Sequence, residues 1–273
     1  MTTKSRKVRL SGLGRAAVGT IVFFILFATV GPLGMPHAPI GGSILDQLEP
    51  PSFEHLLGTD IDGNDILSRL IHGSVPSLLG ALLVVMLSLL IGVPLALMSA
   101  WKGGFVDQVI GRTLDLIFAF PTVLLAGFII LVFGKGLSSA IIAVAIAYIP
   151  FTARITRAAA LRERNRTYIV ACEIQGLSTF RIFTRHLLPN MSRFLASQAT
   201  IAFGFALVDL AALSFIGIGI LPPNPDWGAM VGDTTSLVQG SYTGIIAAAV
   251  CMLAVVSAFT ILGNQLSEKT SKQ

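Results

Sequence analysis

Long apolar stretches alternate with short polar ones along most of this chain. The apolar runs cover about residues 16–33, 75–100, 107–133, 138–160, 191–220 and 244–266. Each is long enough to cross a hydrocarbon layer of roughly 30 Å as a helix, which takes about 20 residues. The pattern predicts an all-α integral membrane protein with six transmembrane helices. It divides into a basic tail, first helix and outer loop (1–74), a five-helix core (75–266) and a short tail (267–273). Gly92 and Pro94 mark an expected kink in the second span. Pro121 is expected to bend the third and free a carbonyl near mid-membrane, which makes it a candidate path-lining residue.

One segment breaks the rhythm. Residues 168–190 are half polar and basic, within a run of otherwise apolar sequence. Val170 and Ile174, or Ile169 and Cys172, recur at helical spacing up to Gly176, a residue that ends helices by entering the left-handed region cheaply. Ser178 is placed to cap a second helix, with Phe180, Phe183 and Leu187 on one stripe and Arg181 and Arg185 on the other. Pro189 suits the first turn of the following helix. The expectation is two short helices at an angle across the end of a bundle, a shape suited to docking.

Charge orients the chain. With the N-terminus inside, seventeen of the nineteen Lys and Arg fall on inner segments, and only Arg69 and Lys135 fall outside. That asymmetry predicts cytoplasmic termini and a cytoplasmic 168–190 segment. Lys4, Arg6, Lys7, Arg9 and Arg15 precede the first apolar run, which is read as a retained anchor rather than a cleaved leader.

Composition agrees with a membrane protein and narrows its chemistry. The chain of 273 residues is 53% hydrophobic and 12% charged, against about 25% charged in soluble domains, and its mean hydropathy is +0.80. The net charge of +5 sits in loops without interleaved aromatics, which argues against nucleic acid. Cys172 and Cys251 are isolated thiols, and His37, His55, His72 and His186 are too scattered to make a metal cluster without tertiary help. No Walker A pattern occurs, and no Gly-x-Ser-x-Gly elbow. The chain is therefore read as not an enzyme, with no catalytic residue, cofactor or metal of its own.

Gly176, then nine residues, then His186-Leu187-Leu188-Pro189 resembles the cytoplasmic coupling loop of ABC-importer permeases. Arg185-His186 before the Leu-Pro is similar to the second permease of the dipeptide, oligopeptide and nickel branch. That family usually starts the loop with Glu-Ala-Ala where this chain has Val170-Ala171-Cys172, and Glu173 stands one turn later. His55-Leu56-Leu57-Gly58-Thr59-Asp60 with Asp65 and Arg69 resembles the motif before the second span, although Asn64 stands where the family has Arg. The Ala119-Phe120-Pro121 cluster, the Leu213 to Gly219 run and the Trp227-Gly228-Ala229-Met230 segment also resemble the family.

The resemblance implies a type I ABC-importer permease fold in a bacterial inner membrane. It implies a second permease subunit as heterodimer partner, two ABC ATPases that bind the ATP and Mg, and an extracytoplasmic substrate-binding protein. Ala171, Glu173, Gly176, Arg181, Arg185, His186, Leu188 and Pro189 become the candidate ATPase-coupling residues. Peptides are the implied cargo, with nickel or a metal chelate as the alternative. Small residues such as Ala143, Ala145, Ala147, Ala247, Ala248 and Ala249 allow close helix packing, consistent with half a translocation path completed by a partner.

Three further readings concern local chemistry. Asp209, near the middle of the fifth span, is a candidate path or proton site, because a lone carboxylate there costs about 2.5–3.5 kcal/mol. It keeps open a proton-linked secondary transporter without an ATPase. Ser214 joins Pro121 and Asp209 as a candidate lining residue. Pairs on one helix face are expected between Asp65 and Arg69 and between Arg112 and Asp115, with Asp60 or Asp62 capping the second span and Leu221–Met230 forming a re-entrant or lid-like outer loop.

Overall fold

The computed structural model describes residues 11–271, so the basic residues Lys4 to Arg9 and Lys272 lie outside the described part. Eleven helices of widely different length account for most of those residues. The long ones are α1 (Gly12–Thr29), α2 (Ile66–Lys102), α5 (Leu137–Arg164), α8 (Leu188–Phe215) and α11 (Thr243–Ser271). Between them lie α3 (Gly104–Phe118), α4 (Thr122–Phe133), α6 (Thr167–Ile174), α7 (Thr179–Ile182), α9 (Trp227–Val231) and α10 (Thr234–Val238). Among the described residues five helical stretches are long and apolar enough to cross a membrane, and α3 with α4, bent by 89° at their break, counts as a sixth if taken as one span.

Local chemistry sets the helix limits. Ser11 accepts a hydrogen bond from the Gly14 N–H and starts α1, whose end at Thr29 comes before the expected residue 33 because Gly31-Pro32 open a 3-10 turn. Asp65, not Asp60 or Asp62, caps α2 by accepting from the Ser68 N–H at 2.7 Å. The helix consequently starts nine residues earlier than the apolar run and extends for 37 residues. At 1.5 Å per residue that is about 55 Å, well beyond a hydrocarbon core of roughly 30 Å. It runs continuously through Pro76 and Pro94. Gly92 has a packing reason, since an added Cβ would sit 3.0 Å from Thr152 Cγ2 and 3.3 Å from the Ala153 nitrogen. It lets α2 and α5 approach closely, and these two helices share the most extensive interface.

The core lies between α2, α5, α8 and α11, around Val84, Ala143, Val144, Ala206, Leu207, Leu213, Ala248 and Val255. The second half of the Leu221–Met230 segment, from Asp226 on, enters it as a wedge, while Leu221 to Asn224 stay exposed. Trp227 is fully buried, and its indole N–H donates to the Leu70 carbonyl of α2 at 2.9 Å. Asp226 accepts from the Ser77 hydroxyl at 2.7 Å and from the Ala229 N–H at 3.1 Å. Gly228 passes so close to α8 that a Cβ would lie 2.5 Å from Ala211 Cα. A buried aromatic with its polar atom satisfied makes this segment part of the core.

Candidate functional site at the α5–α8 end

The 168–190 segment folds as one short helix followed by one long one. In α6 the Leu177 N–H reaches the Cys172 carbonyl at 3.1 Å and the Gly176 N–H reaches Glu173 at 2.9 Å, a Schellman ending that needs Gly176 at φ +73°. Beyond it, α7 runs into a π-helical turn (Phe183–Leu187) and then into α8, forming one 37-residue rod from Thr179 to Phe215. The expected second short helix is thus the near end of the fifth span. The π turn ends just before Leu188-Pro189, where the missing proline N–H would break an ordinary i to i−4 ladder. Ser178 stands at the start of α7 without a side-chain capping bond.

One face of this elbow is buried. Ile169, Cys172, Ile182, Leu187 and Met191 pack with Leu97 and Ala100 of α2 and Ala159 and Ala160 of α5. Phe183 meets Trp101 edge to face at 4.9 Å. Arg164 lies 4.8 Å over the Trp101 ring and donates to the carbonyls of Ala100 (2.8 Å) and Trp101 (3.0 Å), the orphan acceptors at the end of α2. The Tyr168 hydroxyl donates to Glu163 of α5 at 2.7 Å and accepts from Asn190 of α8 at 2.8 Å. Burial and then the Glu163 bond push this phenol up to about 12, so it remains a donor at neutral pH.

The opposite face is open. Ala171, Glu173, Gly176, Arg181, Arg185 and Pro189 are exposed, and His186 and Leu188 are half-buried. Ile174 and Phe180 are 82% and 77% exposed, so Phe180 leaves the apolar stripe expected for it and Ile182 takes the inner place. The result is two exposed apolar side chains and two exposed arginines on a support that packs against α2 and α5 and continues into α8.

Other predicted residues lie elsewhere. Pro121 stands at the 89° break between α3 and α4, which is a true interruption rather than a bend. Asp209 is half-buried and accepts from the Tyr148 hydroxyl of α5 at 2.8 Å, so it has a partner across the α5–α8 contact. Ser214 is buried, accepts from the Ile220 N–H at 3.1 Å, and closes the turn after α8. It also borders a cavity of about 370 Å³ with Asp60, Arg69, Asn224, Met230 and Asp233.

The expected same-face ion pairs are replaced by pairs with other elements. Arg69 meets Asp60 at 3.3 Å, while Asp65 is occupied as a cap. Asn64 donates to both Asp60 oxygens, at 3.1 and 3.0 Å. Asp115 pairs with Arg154 of α5 instead of Arg112. Arg157 grips Asp107 through Nε (2.7 Å) and Nη2 (2.6 Å), and Ser99 of α2 joins both. Reading Arg154 and Arg157 only as positive loop charge missed this α2–α3–α5 lock, whose one linear signal was acidic residues at the start of an apolar span.

Comparison with known proteins places these features in context. The family described as binding-protein-dependent transport system inner membrane component matches residues 92–272. The chain is 34% identical to a dipeptide transport system permease of Alkalihalophilus pseudofirmus over 93% of this chain and 84% of that protein. It is 35% identical to a di/tripeptide transport system permease of Pseudomonas aeruginosa, covering 93% and 87%. A glutathione transport system permease of Pectobacterium atrosepticum is 35% identical over 81% and 73%. In fold it is similar to an inward-facing MetNI methionine ABC transporter chain, with TM-score 0.61, 20% identity, and coverage of 74% of this chain and 96% of that one.

Proposed function

Because this chain belongs to the family of binding-protein-dependent transport system inner membrane components, we propose that it forms half the membrane path of an ATP-driven importer of di- and oligopeptides. The peptide assignment draws on the dipeptide and di/tripeptide permeases to which it is similar over nearly its whole length. The chain works as a multi-pass protein of a bacterial inner membrane. A second permease completes the path, two ABC ATPases carry the ATP and Mg, and an extracytoplasmic binding protein delivers substrate.

The observation that carries the coupling role is the two-sided elbow at 168–190. Its outer face offers Ile174 and Phe180 beside Arg181 and Arg185, a combination that fits an apolar, acidic-rimmed groove. Its inner face meets the end of α2 through the Phe183–Trp101 ring contact and is bonded to the end of α5 by the Tyr168 hydroxyl donating to Glu163. An ATPase that closes on ATP would push this elbow as a rigid piece. Motion would then pass into α8 without a hinge loop and into α2 through the Trp101 contact. The bundle would switch between outward- and inward-facing states by rocking about the substrate.

The test is co-purification of the tagged full chain from cells expressing the whole transporter. The double variant Arg181→Glu, Arg185→Glu should lose the ATPase while retaining the second permease. An ATPase that stays bound at parental levels would sink the coupling assignment. Uptake of labelled dipeptide and of nickel, in cells lacking the chromosomal copy and complemented with this chain, decides the cargo.

A further inference from the structure

We propose that His37, Glu54 and His55, in the connection between α1 and α2, form a binding site for one divalent transition-metal ion. Linear spacing gave no hint of it, because 17 positions separate His37 from Glu54. Folding brings one ligand atom from each residue within 4.8 Å of the other two, and the imidazole rings stand 4.7 Å apart, centroid to centroid. Two imidazoles and one carboxylate form a His₂Glu donor set, which suits zinc and its borderline neighbours and leaves a fourth position for water. Hard cations such as calcium and magnesium take oxygen ligands and fit poorly.

A second observation bears on His55 itself. Its Nδ1 lies 3.0 Å from Asp65 Oδ1, and the other Asp65 oxygen is held by the Ser68 N–H that starts α2. A carboxylate only accepts, so Nδ1 is the donor, and Nε2 is the nitrogen left to bind a cation. A carboxylate behind a histidine is the usual device for fixing tautomer and orientation in metal sites. The ring is buried at 8% exposure, so its position is set before any ion arrives.

The backbone beneath the ligands is also held without using the imidazoles. The His37 carbonyl accepts from the Ser68 hydroxyl. The His55 carbonyl accepts from the N–H groups of Ser52 (2.8 Å) and Gly58 (2.9 Å), and its own N–H donates to the Ser52 hydroxyl at 3.0 Å. Atoms bound to one zinc sit about 3.3 Å apart at metal distances of about 2.0–2.1 Å. Closure therefore asks for a shift of about 1.5 Å at most between any two of the ligand atoms. The ion would clip the segment after α1 to the start of α2.

Zinc chloride titrated into the purified, tag-free full chain against a chromophoric chelator tests this directly. One ion per chain is expected, with a rise in thermal midpoint, and cobalt should show the visible absorption of a low-coordinate site. His37→Ala and Glu54→Gln, whose side chains make no hydrogen bond in the loop, should weaken zinc at least about tenfold, the loss that even an outer-shell change produces. His186→Ala should bind like the parent. His37→Gln, with a melting curve matched to the metal-free parent, separates ligand loss from misfolding. Absence of competition with the chelator, or equal affinity in the His37 variants, overturns the proposal.

Discussion

Arg164 and Trp101 lock the last turn of α5 onto the last turn of α2: the guanidinium lies 4.8 Å above the indole and donates to the Ala100 and Trp101 carbonyls. Arg164→Ala removes a cation–π contact and two charge-assisted hydrogen bonds, together about 3 kcal/mol or more. The expected result is a lower thermal midpoint and weaker stimulation of ATP hydrolysis by substrate, with the ATPase still bound in pull-down. Unchanged stimulation would remove this contact from the transmission path.

Gly176 at φ +73° ends α6 with open space where a Cβ would stand, so the cost of substitution is conformational, not steric. A β-branched residue there costs about 1–2 kcal/mol in the left-handed region. Gly176→Val should shift the direction of the chain into α7 and reduce recovery of the ATPase in pull-down, while Gly176→Asn should keep most of it. Equal recovery of both variants would show that the elbow tolerates re-aiming.

Asp209 distinguishes an ATP-driven importer from a proton-coupled one. Asn at this position still accepts from the Tyr148 hydroxyl, so Asp209→Asn should leave uptake within about threefold, and Tyr148→Phe should act similarly because one hydrogen bond is worth about 1 kcal/mol. Uptake would be measured with ATP in proteoliposomes with and without a proton gradient. Gradient-driven uptake abolished by Asp209→Asn would instead support the secondary transporter.

Trp227 is fully buried against α2 and bonds the Leu70 carbonyl. Trp227→Ala should cost about 3–5 kcal/mol in cavity and lost contacts, and Trp227→Phe clearly less. Thermal unfolding in detergent gives the ranking. A small effect for the alanine variant would mean that the wedge moves in the resting protein.

The close approach of α2 and α5 at Gly92 makes a steric prediction. Gly92→Val should push against Thr152 and cost about 1–3 kcal/mol, and pairing it with Thr152→Ala should recover part of the loss. Simple additivity of the two changes would place the strain elsewhere.

Much of the fold was legible because the bilayer imposes length and composition on every span, and those are properties of short windows. The six apolar runs and Gly176 could be read locally, as could the basic segment before Pro189. Helix ends were less legible: a cap such as Asp65 is chosen by side-chain geometry, and three aspartates stood close enough to compete. The continuity of α7 with α8 was hidden because Pro189 suggests a helix start, while the π turn before it removes the need for one.

The amino-acid sequence by itself determined an all-helical membrane protein, its apolar spans, its charge asymmetry and the place of the half-polar 168–190 elbow. Each depends on nearest neighbours or on total hydrophobicity. Only the tertiary structure decided which charges meet. Arg154 found Asp115 and Arg157 found Asp107 by the packing of α3 on α5, and Arg69 found Asp60 by the fold of the loop before α2. The same packing buried Trp227, supplied Tyr148 to Asp209, and placed His37 beside His55. Electrostatic and hydrogen-bond partners are selected within a few ångströms in space, and separation along the chain carries almost none of that information.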